Sequence, residues 1–328
     1  MFSSKLRTTL LFVPLLAAAT AWSCQVPVFR YALERWEPGA YEARAPGEVK
    51  IDLMANVEIE KGTVGTQLEL FYPRKLRQAS EKSIWSAPMS EANVRVMLDS
   101  PVRQELRKRL LAGQSAVWVL LECGDAARDD AAAMVLEGGL QSAQEKLELP
   151  DGVITQDEAN DPKKRHENAD VLQSDLPLKI EFSMMRLNRG NTAESALIAM
   201  LMHLEADLGD YVKEPMVFPV FGRGRALEPM IGKGIHADNL LEAASYLCGA
   251  CSCEIKEQNP GIDLLMAADW TPVASKEVVE TITMAPVSPE VDQEWRQMKR
   301  IWLIGGAVAL LLQGWLIGRW LSKRKGKI

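Results

Sequence analysis

Histidine is scarce in this sequence: His166, His203 and His236 are the only three in 328 residues. No serine–histidine–aspartate set, metalloprotease helix or paired-carboxylate pattern stands out, so nothing points to hydrolytic catalysis. An excess of positive charge is also lacking. Lys and Arg number 38 against 44 Asp and Glu, a net charge of −6. That balance excludes a dedicated nucleic-acid binder. It also argues against the polar part of the chain lying flat on anionic lipid. Cysteine is sparse, with five residues, yet three of them fall in SYLCGACSCEIK, residues 245–256.

The two ends carry the long apolar runs. Lys5 and Arg7 precede Leu10–Ala19, the layout of a secretory signal over residues 1–23. Cleavage after Ala19-Thr20-Ala21 fits the small-x-small rule. The alternative is a lipoprotein junction with Cys24 lipidated, although Ala21 and Trp22 depart from the usual residues there. Residues 301–321 are apolar apart from Gln313 and Arg319, with Trp302, Trp315 and Trp320 toward the edges. A run of about 20 residues spans a bilayer core as a helix. The basic tail at 322–328 places the C-terminus in the cytoplasm and the bulk of the chain outside the bacterial inner membrane. Gly314 and Gly318 permit close helix approach, hence self-association.

Between these ends the expected fold class is α/β: two small layered domains with mixed or parallel sheets, a thioredoxin-like layout being one option, residues 24–149 and 176–270, joined by a polar linker at 150–175. A stalk over 271–300 leads to the span. Pro27–Trp36 has Val28, Phe29, Ala32, Leu33 and Trp36 on one helical face. That face docks on the core, or lies near the bilayer if Cys24 carries lipid. Ser100-Pro101 opens a helix that Gly113 stops. Ala116–Leu121 is continuously apolar and β-branched, a strand buried on both faces. An Ala-rich helix runs from near Asp129 to about Leu147, and αβα order predicts layered α/β architecture. In the second half, Leu178–Met184 alternates as a strand, and Ala193–Leu208 reads as a helix capped by Asn191 and Glu194. Met216–Phe221 reads as a strand that Pro219 confines to an edge or bulge. A helix from Asp238 to Lys256 then carries the cysteines.

Three constellations bear on chemistry. Cys248-Gly-Ala-Cys251 has redox spacing and resembles the CGPC centre of thioredoxin-like proteins locally. Such a centre needs a helix N-terminus to acidify its thiol, and it stands early in its domain, whereas this one comes late and inside an expected helix. With Cys253 the trio offers thiolates suited to a soft ion such as Cu(I), though a continuous helix turns Cys253 away. The structural alternative is a disulfide among Cys123, Cys248, Cys251 and Cys253, as an exported chain allows. Second, Glu122, Cys123 and Asp125 follow a buried strand, where α/β sheets collect ligands. Asp125 also fits a plain helix cap. Third, FGRGR (221–225) and GKG (232–234) form a glycine-rich basic loop. Arg223, Arg225 and Lys233, with His236, could cradle an anion, although the loop matches neither the Walker nor the dinucleotide fingerprint. The bland alternative is a turn with solvated arginines.

The blocks CQVPVFRYALERW, SAVWVLLECGD, VFGRGRALEPMIGKGI and CGACSCEIKEQNPGIDLLM resemble a family of uncharacterised membrane-anchored envelope proteins of planctomycete- and verrucomicrobial-type bacteria. The resemblance implies an extracytoplasmic tethered protein beside transport machinery and names no catalytic residue. The resulting expectation is a non-catalytic, partner-binding accessory protein of a bacterial envelope or transport complex, with no cofactor. A thiol–disulfide protein using Cys248 and Cys251, and an anion-binding module using Gly222–Gly234, are the alternatives.

Overall fold

The computed structural model describes residues 24–47, 49, 54–61, 66–74, 82–164, 169–251 and 254–273. The expected signal, most of the stalk, the span and the basic tail lie outside the described residues, as do His166, Cys253, Gly314 and Gly318. Among the described residues no helix is long and apolar enough to cross a membrane.

The chain is mixed α/β. Helix α1 (Val28–Arg35) leads into strands β1 (Tyr41–Ala45), β2 (Val57–Lys61), β3 (Gln67–Phe71) and β4 (Trp85–Pro88), which form a four-stranded mixed sheet in the order β2-β1-β3-β4. Helices α2 (Glu91–Leu98) and α3 (Pro101–Leu111) precede the central strand β5 (Ala116–Glu122). Then come helix α4 (Ala126–Lys146), short strands β6 (Val153–Ile154) and β7 (Asp170–Val171) flanking helix α5 (Gln156–Asn160), and strand β8 (Phe182–Asn188). Helix α6 (Ser195–Met202), strands β9 (Met216–Phe221), β10 (Arg225–Ala226) and β11 (Met230–Ile231), helix α7 (Ala237–Cys248) and strand β12 (Ile262–Asp263) complete it.

The second sheet runs β12-β10-β9-β5-β8, with β11 on β9 as well. Strand β5 lies parallel to β8 and antiparallel to β9. Its residues alternate between two cores. Val117, Val119 and Leu121 face one cluster with Phe218, Val220, Leu197 and Leu201. Ala116, Trp118 and Leu120 face the other, with Leu136, Leu140, Leu240 and Phe29. Burial on both faces explains the unbroken apolar run, and each large side chain so buried contributes about 1.5–3 kcal/mol.

This arrangement corrects the expected division into two domains. Strand β5 from the first half pairs with β8 and β9 from the second, so a single sheet spans the supposed boundary, and all described residues belong to one compact unit. The supposed linker is docked too. Glu34, fully buried, accepts from the backbone N–H groups of Gln173 and Ser174 and from Ser174 Oγ. Arg30 pairs with Glu34 at 2.8 Å and donates to the Ser174 carbonyl at 3.1 Å. A polar segment looks like a linker from sequence, yet here its backbone satisfies a buried ion pair. The bilayer alternative for α1 also fails, because Phe29, Tyr31 and Trp36 are buried in the core.

Proline 219 lies inside the sheet rather than at its edge. On its outer side β10 pairs with Val220 and Phe221, and β11 pairs with Met216 and Val217. The missing N–H falls in the gap between them, while the Pro219 carbonyl accepts from Leu227 N at 2.9 Å.

Candidate functional site

The carboxyl ends of the parallel strands β5 and β8 meet two other segments, the start of α4 and the turn before β9. Asp125 caps α4, accepting from the N–H groups of Ala127 and Arg128. Asp129, one turn on and 3% exposed, bends back: its two carboxylate oxygens accept from Cys123 N at 2.8 Å and Gly124 N at 3.0 Å. Across the site, Arg189 donates to the carbonyls of Glu122 and Glu214 and to Met202 Sδ. Arg128 donates to the Lys213 carbonyl and pairs with Glu214 at 3.0 Å. Sequence reasoning located Glu122, Cys123 and Asp125. It missed Asp129, Arg189 and Glu214, since nothing in the run Asp125–Asp130 marks Asp129 except the burial that folding imposes.

Cys123 is half-buried here. Its burial, with the Asp129 and Asp125 carboxylates, pushes the thiol above its ordinary range, against a lowering contact from the Asp125 backbone. The amides that would stabilise a thiolate at the helix N-terminus are partly occupied by Asp129. Burial also lowers the pKa of Arg189, while Cys123 and Asp129 act in the opposite sense. The site therefore sets a thiol of raised pKa beside Asp129, held by backbone amides, and Arg189, held by carbonyls.

The CGAC cysteines lie elsewhere. Helix α7 ends at Cys248, short of the expected Lys256, because Gly249 turns extended and its N–H closes the last turn on the Ser245 carbonyl. Cys248 stands at the negative end of the helix dipole, and burial pushes its thiol up to about 12. Cys251 is also buried, and its N–H donates to the Val26 carbonyl at 2.9 Å. The neighbouring Val28 N donates to the Gly249 carbonyl. The backbone of Gly249–Cys251 thus seats the N-terminal segment against the end of α7. No disulfide joins any two of Cys24, Cys123, Cys248 and Cys251. No metal-holding group of three ligands occurs among the described residues. Burial of Cys24, which lies partly exposed at the start of this segment, raises its thiol pKa too.

The glycine-rich loop is not the expected cradle. Arg223 is buried and turned inward: Nε donates to the Leu33 carbonyl and Nη2 to the Glu34 carbonyl, both at 2.8 Å, and Nη1 meets Glu37. It closes the C-terminal end of α1. Arg225 donates to the carbonyls of Pro260 and Asn259, pairs with Asp263 at 3.1 Å and covers the Trp36 ring. Asp263 also pairs with Lys256 at 2.8 Å and accepts from Gly39 N. Lys233 and His236 lie beyond β11, which pairs with the opposite end of β9 from Arg223 and Arg225. A strand of six residues puts those ends about 17 Å apart. His236 caps α7 by accepting from Asp238 N. The glycines serve close approach: a Cβ on Gly222, at φ +58°, would stand 2.7 Å from Ala32 Cβ.

No family model, curated protein or solved structure matches this chain.

Proposed function

We propose that this chain is a membrane-tethered, extracytoplasmic binding protein of thioredoxin-like design whose thiol chemistry is silenced, serving as an accessory to a bacterial envelope or transport complex. The order of elements supports the design: β5-α4-β8 forms a parallel βαβ unit, α6 follows, the antiparallel β9 and β10 come next, and α7 packs beside α4. In such a design the reactive cysteine stands where the first strand gives way to its helix, the place Cys123 occupies. The carrying observation is what surrounds Cys123. Three residues on, where a partner cysteine would stand, is Ala126. The backbone amides of Cys123 and Gly124 are clamped by Asp129, and burial shifts the thiol's pKa upward, away from thiolate. The CGAC pair, buried at the wrong end of α7, supplies no substitute. The apolar runs at 1–23 and 301–321 and the resemblance to envelope proteins support the tethering.

Thiol trapping with mass mapping on the full-length chain tests this reading. At neutral pH, Cys123 is expected to alkylate more slowly than free cysteine, and Cys248 slower still. A thiol at either position reacting faster than free cysteine, or a mixed disulfide trapped from cells, would replace it with the thiol–disulfide reading.

A further inference from the structure

Cysteines far apart in sequence meet where the N-terminal segment crosses the end of α7. Pro27 forms an antiparallel bridge with Ala250. On either side of it, Val28 N donates to the Gly249 carbonyl at 3.0 Å and Cys251 N to the Val26 carbonyl at 2.9 Å. Val26 therefore stands directly opposite Cys251, and both are buried in the same apolar cluster as Cys248. Cys24, two residues before Val26, packs on that cluster and stays partly exposed. Nothing in the sequence sets residue 24 beside residue 251; the fold does.

The register makes Cys24 the diagonal neighbour of Cys251. Diagonal neighbours on adjoining strands have Cα atoms about 7–8 Å apart, and a disulfide needs them within about 6.8 Å. A shift of about 1 Å closes that gap, and Cys24 lies outside the helix and the bridge that fix the rest of the segment. Cys123 is no rival, because it follows β5 with its N–H held by Asp129. Cys248 belongs to the last turn of α7, whereas Cys251 is itself bonded to the segment that carries Cys24.

We propose that, on export, Cys24 and Cys251 are joined as a disulfide that staples the N-terminal segment to the end of α7. This rests on the extracytoplasmic reading above and adds a modification site to it. The partly exposed Cys24 attacks, as thiolate, the disulfide of an envelope dithiol oxidase and releases one of its sulfurs as a thiolate. Cys251 then attacks the Cys24 sulfur and displaces the other. The two thiols of this chain give up two protons and two electrons, and the oxidase disulfide becomes a dithiol. Burial raises the Cys24 thiol pKa, and a thiol of high pKa leaves slowly, so the closed bond resists reduction. The staple secures the helix whose Arg30 and Glu34 hold residues 173–176. A Cys24 sulfur bonded to Cys251 cannot also carry lipid.

The test expresses the full-length chain, with its own N-terminus, in bacterial cells with and without their envelope dithiol oxidase. Free thiols are blocked with N-ethylmaleimide at lysis, and the unreduced protein is digested and mapped by mass with fragment sequencing. The peptides of Cys24 and Cys251 are expected to be linked through those two sulfurs in cells that have the oxidase, and the link should vanish on reduction. It should be lost or strongly depleted without the oxidase, while Cys123 is alkylated in both. Reduction should lower the melting temperature of wild type by at least about 5 °C and leave Cys24→Ser unmoved. Cys253→Ser should keep the link. An alkylated Cys24, a Cys24 joined to any other cysteine, or a lipid on its sulfur overturns the proposal. Protease added outside intact spheroplasts separates the two levels: a domain digested from outside but lacking the bond refutes the staple alone, whereas a domain protected inside refutes the extracytoplasmic reading beneath it.

Discussion

The guanidinium of Arg223 closes the end of helix α1, with Nη2 donating to the carbonyl of Glu34 at 2.8 Å. An arginine two residues into a glycine-rich loop thereby satisfies helix carbonyls contributed from almost the other end of the domain. A helix end buried without such donors leaves its last carbonyls unpaired. Three of its five N–H groups are engaged and the side chain is buried, so it does not face a dissolved anion.

Replacing Arg223 by Ala is expected to lower stability by about 2–4 kcal/mol, because two carbonyls lose their donors inside the protein. Lys at this position should recover little, since an ammonium cannot reproduce the planar fork. Chemical denaturation of the full-length chain measures both. Phosphate should shift the melting temperature of wild type and variant equally, whereas a shift present only in wild type would restore the anion cradle.

Asp129→Asn tests the clamp on Cys123. The amide has one acceptor oxygen where the carboxylate used two, so one of the Cys123 and Gly124 amides is released. Loss of the nearby negative charge also removes one cause of the raised thiol pKa. Alkylation of Cys123 at neutral pH should accelerate several-fold, and stability should fall by about 1–3 kcal/mol. An unchanged alkylation rate would refute the electrostatic part of this account.

The two adjacent glycines of α4 should respond oppositely to Ala. A Cβ at Gly138 meets nothing within 4 Å, so Gly138→Ala should stabilise by about 0.5–1 kcal/mol through helix propensity. At Gly139 the added carbon would stand 2.5 Å from Leu240 Cδ1, and the α4–α7 contact must move. A loss of about 1–3 kcal/mol is expected there, as for other overpacked sites. Paired thermal melts decide.

Cys248 predicts an alkaline weakness. Its thiol rises from the ordinary 9.0 to about 12 on burial. Below pH 9 both folded and unfolded states keep the proton, and the contribution to stability is complete. As pH climbs from 9 toward 12 the unfolded chain sheds the proton first, so stability falls through that window. Cys248→Ala should flatten this limb of a stability-against-pH curve, though at some cost from the cavity it leaves.

Local structure was readable where a pattern has one physical solution. Ala116–Leu121 has no polar face, so a doubly buried strand is the natural inference, and Pro101 marks a helix start that the structure keeps; Asp125 does cap α4, which begins at Ala126, three residues before the expected Asp129. Long-range pairing was not readable. Whether β5 joins β8 and β9 depends on contacts between distant segments, and the polarity of 150–175 hid the carbonyl and amide groups that Arg30 and Glu34 require. Pro219 misled for a related reason: its tolerance comes from the break between β10 and β11, a feature of neighbours rather than of its own strand. At the site, Cys123 was visible by its place after a strand, whereas the role of Asp129 depends on a backward reach that only the folded turn creates. Arg223 looked available because nothing near it in sequence offers a carbonyl to hold.

The central place of β5 has a consequence for biogenesis. Its greasiest segment, Ala116–Leu121, emerges from the ribosome well before Met216–Phe221 exists to cover its edge. Until then the nascent chain carries a sticky, unpaired template, and nonlocal pairing of this kind is slow and prone to aggregation. Wherever maturation happens, a chaperone must shield that stretch, and a polypeptide halted before β9 should be degraded rather than accumulate as a half-built domain.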